Sequence, residues 1–284
     1  MDIAAVVVLY RPDEGVIKCI TSYLDQVGCV FLVDNSEHPQ EERFRQLCID
    51  DRVEYVPLRD NFGIAKALNV GAELAIENGF DFLLTMDQDS TAAPGMVEKL
   101  SAAGVELGWE KIALISPMHR IGFEHEKAQG RYYDVRSAWT SGCLMNLKVY
   151  QLVGGFEDDL FIDFVDHEYC LRAKQLHYRV LKVRDAELFH LIGERPRIVH
   201  LLGVPLIVTN HSPLRRYYIT RNRFYVTKKF RNVFFDFYWR DKVGFFVETI
   251  IILLFEDQKV LKVRMIFRGL VDYFRGLFGK CHYV

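Results

Sequence analysis

Two aspartates one residue apart close an apolar run at Phe82-Leu83-Leu84-Thr85-Met86-Asp87-Gln88-Asp89, and the chain turns at once into Ser90, Thr91 and Pro94. Carboxylates at that spacing are hard oxygen ligands of the kind that hold Mg²⁺ or Mn²⁺. A cation held there could in turn hold a diphosphate. The apolar run reads as a strand covered on both faces, which belongs in a parallel sheet. Open sheets of that kind bind ligands outside the carboxyl ends of their strands. Two solvated acids in a turn would look the same in isolation, because Asp-x-Asp is short.

A second acidic cluster follows a Gly154-Gly155 break, in Phe161-Ile162-Asp163-Phe164-Val165-Asp166-His167-Glu168-Tyr169-Cys170-Leu171-Arg172. A helix start favours one acid whatever the function, but three acids and a histidine exceed that. Asp166 could begin the helix, with Arg172 reaching the same acids. A carboxylate here could take the proton from an attacking hydroxyl. Asp34, in Val33-Asp34-Asn35-Ser36, closes an earlier apolar run. It could accept a hydrogen bond from a base N–H or a ribose hydroxyl, or cap an Asx turn.

Asn61-Phe62-Gly63-Ile64-Ala65-Lys66-Ala67-Leu68-Asn69-Val70-Gly71 opens an Ala-rich helix. Small residues at a helix N-terminus let an anion approach free N–H groups, though they equally let helix and sheet pack closely. The stretch is neither a dinucleotide fingerprint nor a P-loop. His190 lies in an apolar setting, where a structural role competes with metal binding. Arg215-Arg216-Tyr217-Tyr218-Ile219-Thr220-Arg221-Asn222-Arg223 could grip phosphates through forked contacts, or could be a solvated helix face.

The elements that must position these groups alternate. Strands are expected at Ile3–Tyr10, Cys29–Val33, Val53–Leu58 and Phe80–Met86, with helices over 12–26, 39–48 and 64–77 between them. This pattern predicts an α/β fold with a mostly parallel sheet flanked by helices. Beyond Pro94, strands are expected at Ile112–Ser116, Tyr132–Ala138 and Tyr178–Val183. A loop lies around Gly122–Gly130. Thr140–Cys143 reads as a turn before a short helix at Leu147–Val153, and Val165–Leu176 as a helix. From Leu214 the pattern is helical, near 214–230, 241–255 and 258–278.

The chain has 284 residues, of which 50% are hydrophobic and 26% charged, and a net charge of −2. That balance hides an asymmetry. Residues 211–284 carry 15 Lys+Arg against 6 Asp+Glu and hold 18 of the 38 aromatic residues. The rest of the chain is acidic, so two domains are expected, 1–210 and a basic, aromatic helical extension over 211–284. The six cysteines form no C-x-x-C pair and read as buried thiols in a reducing compartment. No signal peptide is recognisable, and Val243–Phe255 is too short to span a bilayer. A cytoplasmic protein is expected, able to attach to a membrane surface. A nucleic-acid binder is disfavoured by the acidic body.

Taken together these stretches resemble family 2 glycosyltransferases of the GT-A fold, and among them the bacterial rhamnosyltransferases. The resemblance rests on Val33-Asp34-Asn35-Ser36, Asn61-x-Gly63 with Asn69-x-Gly71, Asp87-Gln88-Asp89-Ser90, Thr140-Ser141-Gly142, Gly154-Gly155-Phe156, Phe161-Ile162-Asp163 with Asp166, His190-x-x-Gly193, and Arg216-Tyr217-Tyr218 with Arg221-Asn222. It implies a Rossmann-like sheet and an inverting, metal-dependent transfer, with dTDP-β-L-rhamnose as favoured donor. Asp34 would contact the pyrimidine and Asp87 would lie near the ribose. Asn61, Gly63, Lys66, Asn69, Arg216 and Arg221 would complete the nucleotide-sugar site. Asp89, with Asp87 and His190, would hold Mn²⁺ or Mg²⁺. Many relatives carry Glu-Asp where this chain has Val165-Asp166, so Asp166 falls on the position of the catalytic base, with Asp163 as the other candidate.

The implied acceptor is a glycan, lipid-linked and destined for the cell surface. A membrane surface and a second copy of the chain are the other expected partners, and nucleic acid is not. Three alternatives stay open: a UDP-sugar donor (galactofuranose or N-acetylglucosamine), a nucleotidyltransferase, and a non-catalytic membrane adaptor on a degenerate domain.

Overall fold

The run Ile3–Leu9 is β-branched or apolar throughout, a composition suited to a strand covered on both faces. It forms β1, and every residue after Ile3 is buried. Two further apolar runs flank it in parallel, β2 (Cys29–Asp34) on one side and β4 (Phe82–Asp87) on the other. β3 (Val53–Pro57) lies parallel beyond β2. Helices α1 (Val16–Leu24), α2 (Glu41–Phe44) and α3 (Ile64–Glu77) make the crossovers. Gly71 lets α3 approach the sheet: a Cβ there would come within 2.2 Å of the Val6 Cγ2. The chain builds outward from β1 through β2 to β3, then returns to place β4 on the opposite side. The carboxyl ends of β1 and β4 therefore form a topological switch point.

The structure, a computed structural model, describes residues 1–120, 130–190, 197–201 and 204–283. The second half of the sheet is mixed. β8 (Cys143–Asn146) lies antiparallel to β4 and to β6 (Ile112–Arg120). β6 runs parallel to β9 (Arg179–His190), which pairs antiparallel with β5 (Ser90–Ala92) and β7 (Tyr132–Asp134). The path is β3-β2-β1-β4-β8-β6-β9-β5, with β7 off it. β5 follows β4 after two residues yet sits at the far end of that path, so the strands from β4 onward curl back on themselves. Helices α4 (Met96–Leu107), α5 (Leu147–Val153) and α6 (Val165–Gln175) complete this unit. Its core includes Val7, Ile20, Leu84, Leu100, Ile115 and Leu181, all fully buried.

Two compact units divide the chain. One is Met1–Asp158 with Val165–Leu191, and the other is Asp159–Phe164 with Ile192–Val284. The second holds the hairpin β10 (Arg197–Leu201) and β11 (Val204–Val208) and three helices, α7 (Pro213–Lys229), α8 (Phe235–Phe255) and α9 (Lys259–Arg275). α7 starts with Pro213 in its first turn and with the Ser212 hydroxyl accepting from the Arg215 N–H, both favourable there. No described helix is long and apolar enough to cross a membrane. All six cysteines are free.

Several expected elements differ. β5 and β8 are strands where a turn was expected, and α8 begins at Phe235 instead of near 241. The helix expected over 39–48 is a single turn, α2, followed by a 3₁₀ turn at Leu47–Ile49. Most of the loop expected around Gly122–Gly130, together with Gly193, lies outside the described residues.

Candidate active site

The carboxyl ends of β2, β1 and β4 lie side by side, with Asp34 in register with Leu9 and Asp87 with Val8. Asp34 and Asp87 thus flank the end of β1. Gln88 ties the two strands of the switch point together. Its Oε1 accepts from the Tyr10 N–H at 2.8 Å and its Nε2 donates to the Tyr10 carbonyl at 3.3 Å, so an amide side chain extends the sheet by one backbone-like pair. Thr140-Ser141-Gly142 is latched beneath the same end. The Thr85 hydroxyl donates to the Thr140 carbonyl, and the Ser141 Oγ accepts from the Asp87 N–H at 3.1 Å and donates to the Ser90 Oγ at 2.7 Å. Buried His119 donates from Nε2 to the Ser141 carbonyl at 2.8 Å. Asp87 and Asp89 are both half-buried at this end. His190 pairs with Ser90 through the backbone; its side chain lies outside the described residues. Among the described residues no three His, Cys, Asp or Glu side chains form a metal cluster.

Asp34 is fully buried and its two oxygens are engaged nearby. Oδ1 accepts from the Ser36 N–H at 3.0 Å, and Oδ2 from the Gln40 N–H at 3.1 Å and the Tyr55 hydroxyl. Burial and that bond to Asp34 push the Tyr55 phenol far above its ordinary range, so it stays a donor. Asn35 and Asn61 join this loop to the start of α3: Asn35 Nδ2 donates to Asn61 Oδ1 at 3.1 Å and Asn35 Oδ1 accepts from the Phe62 N–H at 2.8 Å. Gly63, at φ 89°, precedes the helix, whose first turn has no side-chain cap. Lys66 lies 3.6 Å from Asp158 on the surface.

Asn69 is buried and fully satisfied inside the protein. Its Nδ2 donates to the Phe156 carbonyl at 2.8 Å and to Asp158 Oδ1 at 2.6 Å. Its Oδ1 accepts from the Tyr150 hydroxyl at 2.6 Å and the Phe156 N–H at 2.8 Å. Gly155 is required beside it, since a Cβ there would sit 2.9 Å from Asn69 Oδ1. Arg172 holds the same turn, donating to the carbonyls of Val153, Gly154 and Gly155 while pairing with fully buried Glu168 at 2.7 Å. Asn69 and the Gly154-Gly155-Phe156 motif are therefore two halves of one contact.

Asp166 lies in the first turn of α6 and borders a small cavity with Thr85, Thr140, Phe156 and Tyr169, which brings it beside the β4 end. Its side chain is 18% exposed. Burial alone would raise its carboxyl, but His167 outweighs that and holds it below the ordinary carboxylate range. His167 acts by charge and by two donors to Asp166 Oδ1, its backbone N–H at 2.7 Å and its Nδ1 at 2.8 Å. Among the described residues no other residue's donor engages Oδ2, so one ionised oxygen remains available. The sequence placed His167 in the acidic cluster without a role of its own, and its position next to the acid is the signal for one.

The arginines expected to grip phosphate are committed inside the second unit. Arg216, 2% exposed, pairs with Glu248 and Glu256 and donates to the Thr209 hydroxyl. Arg221, 1% exposed, donates to the carbonyls of Gly279, Leu160 and Asp159 and stacks on Tyr217, Tyr218 and Phe278. A guanidinium buried in a helix must be paired internally, and these are. Asn222 donates to the carbonyls of Leu160, Ile162 and Asp163 at 2.7–3.0 Å. The segment so held carries Phe161, Asp163 and Phe164 at φ 61–66°, a left-handed conformation that L-residues adopt at a cost. Asp163 accepts from Arg215 at 3.1 Å.

Residues 5–143 match the Glycosyl transferase family 2 domain. The chain is a glycosyltransferase that resembles family 2 over those residues. The glycosyltransferase is 26% identical to the dTDP-rhamnosyl transferase RfbF of Shigella flexneri over 307 aligned positions, 99% of this chain and 98% of the relative. Its fold is GT-A. Among solved structures it resembles S. aureus TarS in complex with UDP-GlcNAc, with a TM-score of 0.64 at 14% identity, covering 98% of this chain and 82% of that one. It also resembles GalNAc-T7 with UDP, GalNAc and Mn²⁺, with a TM-score of 0.62 at 12% identity. That alignment covers 97% of this chain, which spans 56% of GalNAc-T7.

Proposed function

We propose that this glycosyltransferase transfers L-rhamnose from dTDP-β-L-rhamnose, with inversion, to a hydroxyl of a cell-surface glycan, in a reaction supported by a divalent cation. The similarity to RfbF along nearly the whole of both chains favours the sugar. The observation that carries the donor site is the pair Asp87 and Asp89 at the carboxyl end of β4, on the switch point with β1. A lipid-linked acceptor follows from the resemblance alone.

The residues fit a divalent cation. Two half-buried carboxylates one residue apart suit Mg²⁺ or Mn²⁺ when substrate phosphates complete its coordination. Asp89 and Asp87 would hold it, and bound there it would neutralise charge growing on the leaving diphosphate. The uncapped start of α3 offers N–H groups to the same anion. Asp34, with both oxygens engaged, acts by fixing the loop against which the nucleotide lies.

Asp166 is the proton acceptor. As the acceptor oxygen attacks the anomeric carbon, its proton passes to Asp166 Oδ2 and the bond from that carbon to the diphosphate oxygen breaks. The new glycosidic bond forms on the opposite face, so nucleoside diphosphate and inverted glycoside are the products. His167 keeps Asp166 ionised and oriented, as a base must be before the proton arrives.

The deciding experiment is Asp89→Asn, which keeps side-chain shape and removes charge. Calorimetry of dTDP binding with Mn²⁺ should show the loss of the metal-dependent part of the affinity, with binding in EDTA unchanged. Equal metal-supported affinity in both proteins would end the metal assignment. A panel of dTDP-rhamnose, UDP-galactofuranose and UDP-N-acetylglucosamine tested for slow hydrolysis identifies the donor, and preference for a UDP-sugar would overturn the rhamnosyl reading.

A further inference from the structure

α9 has two contrasting sides. Lys262, Met265, Ile266, Gly269 and Asp272 are buried. Gly269 lets the helix lie against α7, where a Cβ would come within 2.6 Å of the Tyr217 carbonyl oxygen. At 100° per residue the opposite side carries Val260, Val263, Phe267 and Phe274, all exposed, the last at 78%. Arg264, Arg268 and Arg275 are spaced by four and seven residues and form one row along an edge of that strip. The single acid of α9, Asp272, is turned inward and accepts from the Tyr217 and Tyr283 hydroxyls. Every charge that α9 presents outward is therefore positive. α8 adds an exposed stripe of Phe235, Trp239, Val243, Phe246, Ile250 and Leu253.

Exposed apolar surface on this scale marks an interaction site. We propose that the outward face of α9 docks on an anionic lipid surface. The charge pattern decides between lipid and a second copy of the chain. A two-fold pair brings the same patch of each copy together, which would face one positive row with another at a like-charge cost. An anionic headgroup layer instead gives each arginine an opposite charge, while the adjoining strip enters the acyl boundary. With 17 residues, α9 is about 25 Å long and lies in the plane of the surface. The proposal does not depend on the sugar, the cation or the base.

The test is co-sedimentation of the full chain with phosphatidylcholine vesicles, with and without about a third phosphatidylglycerol, at low and high salt. The protein should pellet with the anionic vesicles at low salt, stay soluble with the neutral ones, and be released by high salt. Arg264→Glu with Arg275→Glu should weaken binding by about tenfold or more, and Phe267→Ser with Phe274→Ser should do the same. All four side chains are exposed, so circular dichroism and melting temperature should not change. Failure of the unaltered protein to bind anionic vesicles would overturn the proposal. So would binding by both double variants as tight as that of the unaltered protein, or a dimer in sedimentation velocity that the Phe267→Ser, Phe274→Ser protein cannot form.

Discussion

Asn69→Ala discriminates between a side chain that touches the donor and one that holds the protein together. The substitution removes the partner of three buried groups: the Tyr150 hydroxyl, the Phe156 N–H and the Phe156 carbonyl. Tyr150 and Phe156 are 5% and 4% exposed, so bulk water does not reach them freely. A buried polar group left without a partner costs about 1–3 kcal/mol. Taking the lower end for each, because the deleted amide leaves room for a water, gives a loss of about 3 kcal/mol. In a protein of this size that is a fall of roughly 6–12 °C in melting temperature. Urea denaturation followed by circular dichroism measures it directly. A donor contact predicts the opposite pattern, with stability intact and a raised KM for the nucleotide sugar. A stability loss below about 0.5 kcal/mol, within the range of ordinary surface substitutions, would refute the structural account of Asn69.

Asp166→Asn should lower kcat by about 10²–10⁴ while nucleotide binding persists, as measured by single-turnover transfer and calorimetry; an active Asp166→Asn beside an inactive Asp163→Asn would move the base to Asp163. His167→Ala should shift the acid limb of kcat/KM to higher pH. His167 holds the Asp166 pKa below its ordinary value and burial pushes the other way, so without it the carboxylate protonates sooner as pH falls; an unmoved limb would remove His167 from the proton path. Asn222→Ala should cost about 2 kcal/mol and speed amide exchange in the Asp159–Phe164 segment, whose carbonyls it binds, with no change in donor affinity.

Much of this architecture was readable in the residues, for definite reasons. β1, β2 and β4 are largely apolar up to their closing residues, and helical crossovers separate β1 to β4, so composition and punctuation both mark them. β5 and β8 have only three and four residues, too few for a pattern, and they exist because neighbouring strands pair with them. The acids announced themselves as charges ending buried runs. What could not be read was the direction in which polar groups bond. Arg216 and Arg221 look in sequence like a phosphate grip, yet Glu248 and Glu256 arrive more than thirty residues later and the carbonyls around Leu160 more than fifty residues earlier. Asn69 stood in a stretch that looked open to a ligand, and its partner turn lies some eighty residues away.

The six-residue excursion Asp159–Phe164 makes the order of synthesis matter. Parallel strands β1 to β4 can pair as the chain emerges from the ribosome, since everything they need lies within the first ninety residues. The excursion cannot: its left-handed residues are held by Asn222 and Arg221, and the Asp159 carbonyl by the Gly279 N–H. Residues that precede Asp166 in sequence thus reach their final backbone only once Gly279 has been made. A ribosome-tethered chain, or one cut before Gly279, would show a finished parallel sheet and an unfinished Asp159–Phe164 segment. That segment would then order late, set by the arrival of Gly279 and not by folding of the parallel sheet.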